Sequence, residues 1–141
     1  MLRPSQVSEH IRPYTPADAA AVHTIAANTA YYGDPVEQMM EDRCIFIDAF
    51  VRTYTERYPH TCWVAEVDGQ VVGYLTGCMN TRAHDAHSRR DALRVAWQAL
   101  TLRYRLGPKL ARTGFAFLRE ALAGHPQIDL EVYPAHLHIN V

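Results

Sequence analysis

Residues 61–80 read TCWVAEVDGQVVGYLTGCMN, two apolar runs on either side of Asp68-Gly69. An Asp-Gly pair favours a type I′ turn, whose two central residues both need positive φ and whose twist matches that of paired strands. The turn predicts a hairpin with strands over 61–67 and 70–80. An uninterrupted ladder sets Val67 opposite Gln70, Trp63 opposite Tyr74 and Cys62 opposite Leu75. Cys78 then lies well beyond Cys62, which argues against a disulfide between them. Both strands are apolar at nearly every residue, the pattern of strands inside a sheet covered on both faces.

The sequence around this hairpin reads as one domain. Its 141 residues are 48% hydrophobic and 21% charged, enough to bury a core and too apolar for a disordered chain. The net charge of −1 is a poor match for a nucleic acid. Residues 82–112 are locally basic, with eight Lys and Arg against Asp85 and Asp91. No RNA- or DNA-binding motif accompanies them. They read as the solvated faces of two amphipathic helices, or as a surface that steers an anion. Arg89, four residues after Asp85, reads as half of a surface pair. Three cysteines, with no CxxC, read as reduced thiols of a cytoplasmic protein. Residues 1–10 lack an apolar stretch and read as a flexible tail without a signal peptide. No run is long enough to span a membrane.

Upstream, residues 11–14 form a candidate strand, followed by Thr15-Pro16-Ala17-Asp18. A hydroxyl at the cap, proline next and a carboxylate at the third position make a helix start, here running to about Asn28. Tyr31 to Pro35 is a loop. A second helix is predicted from an Asp34 cap to Tyr58, with Val36, Met39, Met40, Ile47, Phe50, Val51, Tyr54 and Tyr58 on the 3.6-residue period. Downstream, Ser88 is a candidate cap for a helix to about Tyr104, with Leu93, Ala96, Trp97 and Leu100 inward. Gly107-Pro108 separates it from another helix over 109–123, with Leu110, Gly114, Phe117, Leu118 and Leu122 inward, stopped by Gly124 and Pro126. IDLEV (128–132) reads as extended. So do the final residues, where His136, His138 and Asn140 alternate with Leu137, Ile139 and Val141.

The pieces Ile11-Arg12 with Thr15 to Asp18, Val64-Ala65-Glu66 with Asp68-Gly69, Val72-Gly73-Tyr74, and LHINV (137–141) occur in the order strand-helix-helix-strand-strand. In this order they resemble the GNAT family of acyl-CoA N-acetyltransferases. The resemblance implies an α+β, GNAT-like three-layer fold: a mixed or mostly antiparallel central sheet with helices on both faces, in the order β-α-α-β-β-α-α-β. The domain is expected to occupy residues 11–141. Two departures stand out. The helical pair over 88–123 is longer than the family's usual link. The family's Gly-rich R/Q-x-x-G-x-G/A loop, whose backbone N–H groups bind the CoA pyrophosphate, does not occur within these residues. The expectation is therefore the N-terminal part of an acetyltransferase, truncated after its fourth strand.

The same resemblance implies transfer of an acetyl group from acetyl-CoA to an amine, by direct attack in a ternary complex. His138 and His136 are the candidate bases on the fourth strand, because an imidazole suits removal of a proton from an ammonium near neutral pH. Ile139, Asn140 and Val141 are candidates to offer groups to acetyl-CoA. Tyr31 and Tyr32 lie where this fold often lines its acceptor pocket. The acceptor is a small-molecule or peptide amine, with no nucleic acid, membrane or metal expected. Other readings stay open. The two strand histidines, ~7 Å apart, can simply pack in the sheet. With His84 and His87 they can also form a four-histidine zinc site. A non-catalytic remnant that binds a partner, as a homodimer closing its open strand edge, is a further alternative. Glu66 reads as a cross-strand or surface residue.

Overall fold

The computed structural model describes residues 8–123 and 128–141. The tail at 1–7, and Gly124 and Pro126 as a helix stop, lie outside the described residues. Strand β1 (Glu9–Pro13) begins inside the segment read as tail, and Ser8 already exchanges hydrogen bonds with Asp68. A 3-10 turn (Pro16–Asp18) leads into α1 (Ala19–Thr29). A second 3-10 turn (Val36–Gln38) precedes α2 (Arg43–Phe46), a π-helical segment (Ile47–Val51) and α3 (Arg52–Arg57), which run on as one helix. After a 3-10 turn (Pro59–Thr61) come β2 (Trp63–Val67), β3 (Gln70–Cys78), α4 (Thr81–Leu100), α5 (Pro108–Ala123) and β4 (His136–Asn140). The strands form one fully antiparallel sheet in the order β1-β2-β3-β4.

The first helix starts as the sequence predicts. Asp18 Oδ2 accepts hydrogen bonds from the Thr15 backbone N–H at 2.8 Å and from its hydroxyl at 2.9 Å. Arg12 adds what local pattern cannot show. Its guanidinium donates two bonds of 2.8 Å to Asp18, one to each carboxylate oxygen, and a third of 2.8 Å to Glu66 on β2. Glu66, on the same face as His10, is thus a cross-strand residue. The guanidinium and the Thr15 bonds hold the Asp18 carboxyl well below the usual carboxylate range.

The hairpin has the predicted turn: Asp68 and Gly69 both have positive φ, 49° and 80°. Its ladder is not uninterrupted. A bulge between Ala65 and Glu66 shifts the register, so Trp63 pairs with Leu75 and Val64 with Tyr74. This turns Val64, Tyr74, Thr76 and Cys78 to one face, where all four are buried. There they meet Val22, Ala26 and Ala27 of α1, Val36, Met40, and Ile47, Val51 and Tyr54 of the central helix. Val22, Val36 and Val64 are almost fully buried, each contributing about 1.5–3 kcal/mol. The opposite face carries Ile11, Trp63, Leu137 and Ile139, all substantially exposed. Helices expected on both faces therefore cover only one among the described residues. The three cysteines are free, as the hairpin argument requires.

Three helical expectations need correction. The second helix does not run unbroken from Asp34. It restarts at Arg43, because the Asp42 side chain accepts from the Cys44 N–H at 3.0 Å and caps the new start. The fourth helix begins seven residues before Ser88, where Asn80 Oδ1 accepts from the Ala83 N–H at 3.0 Å. Its apolar stripe faces outward: Leu93 is 72%, Trp97 68% and Leu100 78% exposed. The inward side mixes Val95 and Ala99, packed on the core, with polar groups. Buried Asp91 accepts a 2.6 Å bond from Thr53 and lies near Arg57 and Arg94, while His84 stacks on Tyr54. On α5, Leu110 is half-buried, but Phe117, Leu118 and Leu122 are exposed. The helix is held mainly by Glu41, whose carboxylate accepts from the Lys109 and Leu110 N–H groups at its start. IDLEV is a turn, not a strand: Asp129 accepts from Glu131, Val132 and Tyr133.

Asp18→Asn tests the Arg12 anchor. The folded carboxyl titrates below its unfolded value of about 3.9. Its stabilisation is fully present above that value and is lost as pH falls through the lower, folded one. Thermal melts should show the variant less stable by a constant margin from pH 7 to 5, with the margin shrinking only in stronger acid. A margin that closes between pH 7 and 5 contradicts the anchor.

Candidate functional site

A cleft of about 600 Å³ opens between β3 and β4 on one side and the central helix and α4 on the other. His138 and Asn140 of β4 line it together with Tyr74 and Thr76 of β3. The strand period of two puts His138 and Asn140 on the helix side, with Thr76 beside His138 and Tyr74 beside Asn140. The helices contribute Phe46, Phe50, Tyr54, His84, Asp85, Ser88 and Arg89.

His136 and His138 share a face but not an environment. Both nitrogens of His136 are engaged. Thr81 donates its hydroxyl to the Pro134 carbonyl at 2.8 Å, so its oxygen accepts from His136 Nδ1 at 2.8 Å. Nε2 is left to accept from the Tyr54 hydroxyl at 2.6 Å. This chain ties α3, α4 and β4 together and fixes the imidazole. Burial raises the Tyr54 hydroxyl pKa far above its ordinary value, so it remains a donor. His138 makes no hydrogen bond among the described residues and lines the cleft directly. Burial, then the neighbouring His136 imidazole, push its pKa below 6.5. Burial does the same to His84, helped by His136. Neutral imidazole is thus the resting state of His138 at pH 7, the form that accepts a proton.

The other sequence candidates fall nearby. Asn140 donates through Nδ2 to the Tyr74 hydroxyl at 2.8 Å. Ile139 and Val141 sit on the opposite, open face, 64% and 85% exposed. Among the described residues β4 is an edge strand, paired only with β3. Tyr31 and Tyr32 are outside the His138 cleft. They line a second hollow of about 310 Å³ with Met39, Phe46, Phe50 and Phe117. Phe46 and Phe50 belong to both hollows. Tyr32, with φ 52° and 98% exposed, projects into solvent.

No group of three or more His, Cys, Asp or Glu is placed to hold a metal ion among the described residues. Of the four histidines considered for zinc, His136 has both ring nitrogens hydrogen-bonded, to Tyr54 and Thr81. No helix among them is long and apolar enough to cross a membrane. Sequence reasoning missed Tyr54, Thr81 and Asp85. Tyr54 was legible only as a core position, and Asp85 and Thr81 lay in a stretch read as preceding the helix.

Tyr54→Phe removes the donor to His136 and leaves a half-buried ring nitrogen without its partner. The expected loss is about 1–3 kcal/mol of unfolding free energy, measured by urea denaturation. A variant as stable as the parent contradicts the chain of bonds.

No family model matches the sequence, and no curated protein matches it either. Among solved structures, the crystal structure of SsHAT superimposes with a TM-score of 0.63 at 29% identity. The match covers 95% of this chain and 66% of that one, so the chain spans about two thirds of that protein's length. With the four-stranded antiparallel sheet and its element order, this likeness supports an α+β, GNAT-like fold for the chain.

Proposed function

We propose that the domain transfers an acetyl group from acetyl-CoA to an amine, by direct attack within a ternary complex. The observation that carries this reading is His138: a neutral imidazole on the fourth strand of this fold, without a hydrogen bond among the described residues and lining the 600 Å³ cleft. The amine enters as an ammonium. His138 takes its proton, the freed nitrogen lone pair attacks the thioester carbonyl carbon, and a tetrahedral oxyanion forms. When the C–S bond breaks, the attacking nitrogen sheds its second proton, which the departing thiolate takes up, leaving the neutral amide and free CoA thiol. A backbone N–H on the free edge of β4 is suited to stabilise the oxyanion, because charge develops there only as the bond forms. The pantetheine arm fits along that edge, beside Ile139, Asn140 and Val141. His136 takes no proton in this scheme; Tyr54 and Thr81 hold it as a support for the strand beside the base.

A second reading, a non-catalytic module that binds a partner or a second copy, draws on the exposed apolar face of Ile11, Trp63, Leu137 and Ile139. Acetyl-CoA binding without turnover on any amine would favour it.

His138→Ala should lower kcat about a hundredfold, the lower end of general-base contributions, while acetyl-CoA affinity stays within a few-fold. In the parent, the rate should be flat from pH 7 to 9. It should fall in acid as His138 gains its proton, at a pH below about 6.5. Release of free CoA thiol reads both. Equal rates for variant and parent across pH 6 to 9 would rule out His138 as the base.

A further inference from the structure

The geometry points to an α-amino acid with a large apolar side chain as the acceptor, held by Asp85, Arg89 and the wall of Phe46 and Phe50. This inference rests on the acetyl-transfer reading of the His138 cleft and specifies what enters it. Asp85 and Arg89 stand four residues apart on α4, the spacing at which an acid and a base normally pair across one turn. They do not pair here. Neither makes an ion pair or a side-chain hydrogen bond among the described residues, and both line the cleft that His138 lines. One wall therefore carries a carboxylate and a guanidinium whose charges are not spent on each other. The facing wall is apolar, formed by Phe46, Ala49, Phe50 and Val51. Beyond Phe46 and Phe50 the second hollow continues the apolar surface past Tyr31 and Phe117.

Each feature selects against other amines. A polyamine presents several cations, and among the described residues Asp85 is the one carboxylate that lines this cleft. A protein lysine side chain presents an ammonium but no anion for Arg89. An amino sugar is polar on every side and would desolvate against the phenylalanines without compensation. An α-amino acid carries both charges on one carbon. Its carboxylate suits the planar fork of Arg89. Its ammonium meets Asp85, which favours the charged amine on entry, and His138, which removes the proton for attack. An aromatic or long aliphatic side chain then fills the space against Phe46 and Phe50.

Calorimetric titration of the intact protein with L-phenylalanine, phenethylamine, 3-phenylpropanoate and spermidine tests this. L-phenylalanine should bind at least tenfold more tightly than each of the others, since a site built around a charge rejects the analogue that lacks its partner. Arg89→Gln should erase the difference between L-phenylalanine and phenethylamine. Asp85→Asn should erase the difference between L-phenylalanine and 3-phenylpropanoate. Both side chains are exposed, so the variants should keep the parent's melting temperature. Phenethylamine or spermidine binding as tightly as L-phenylalanine, or no L-phenylalanine binding, overturns the inference. The acetyl-transfer reading is separated by thiol release. Tight L-phenylalanine binding with no CoA released on any amine defeats that reading and leaves the binding site standing. Acetylation of another amine by a protein that does not bind L-phenylalanine defeats only the amino-acid inference.

Discussion

Arg12 joins three parts of the chain that sequence distance keeps apart. One guanidinium on β1 grips the carboxylate that caps the first helix and, on its other side, Glu66 of β2. Asp18 is buried, so its charge has to be matched, and Arg12 with the Thr15 donors does so. The grip ties the start of α1 to the first two strands, and Val22, Ala26 and Ala27 of that helix pack on the same face as Val64 and Tyr74.

The second organising contact is Tyr54. It emerges from α3 just after the π-helical segment, stacks on His84 of α4 and donates to His136 of β4. An extra residue per turn in the π segment rotates the helix relative to a regular α-helix. Phe50 is left half-exposed at the mouth of the cleft, while Val51 and Tyr54 stay buried. His136 is spent on structure and His138 is left open, although the two differ by only two positions on one strand. The distinction is the presence of Tyr54 and Thr81 at one ring and a cleft at the other.

The α4–α5 pair follows a different logic from the core. Val95, Ala99 and Leu110 pack on the core, but the pair's other inward contacts are polar: Asp91 with Thr53, Glu41 with the start of α5, and Thr113 donating to the Met39 carbonyl at 2.7 Å. Its apolar stripes, Leu93, Trp97 and Leu100 on α4 and Phe115, Leu118 and Leu122 on α5, point to solvent. A helical period names a stripe but not the direction it faces; here buried Asp91, bonded to Thr53, lies on the inward side and the apolar stripe on the outward one. The same arrangement presents Asp85 and Arg89 to the cleft.

Local chemistry determined the parts whose instructions are contiguous. The Asp68-Gly69 turn, the Thr15 to Asp18 helix start, the alternation of 136–141 and the resulting GNAT-like order were legible, because each depends on residues within a few positions of one another. His138 was legible as a strand histidine for the same reason, but not its difference from His136. Tertiary structure alone decided the bulge at Ala65, which moves the ladder by one residue past a correctly read turn. It also decided the restart at Asp42, the outward face of α4, the single covered face of the sheet and the separation of Tyr31 and Tyr32 from the His138 cleft. Around these features run bonds between residues 38 to 82 positions apart: Asp91 with Thr53, Glu41 with Lys109 and Tyr54 with His136. Such bonds form only after the chain has closed on itself, and no periodicity in the sequence carries them.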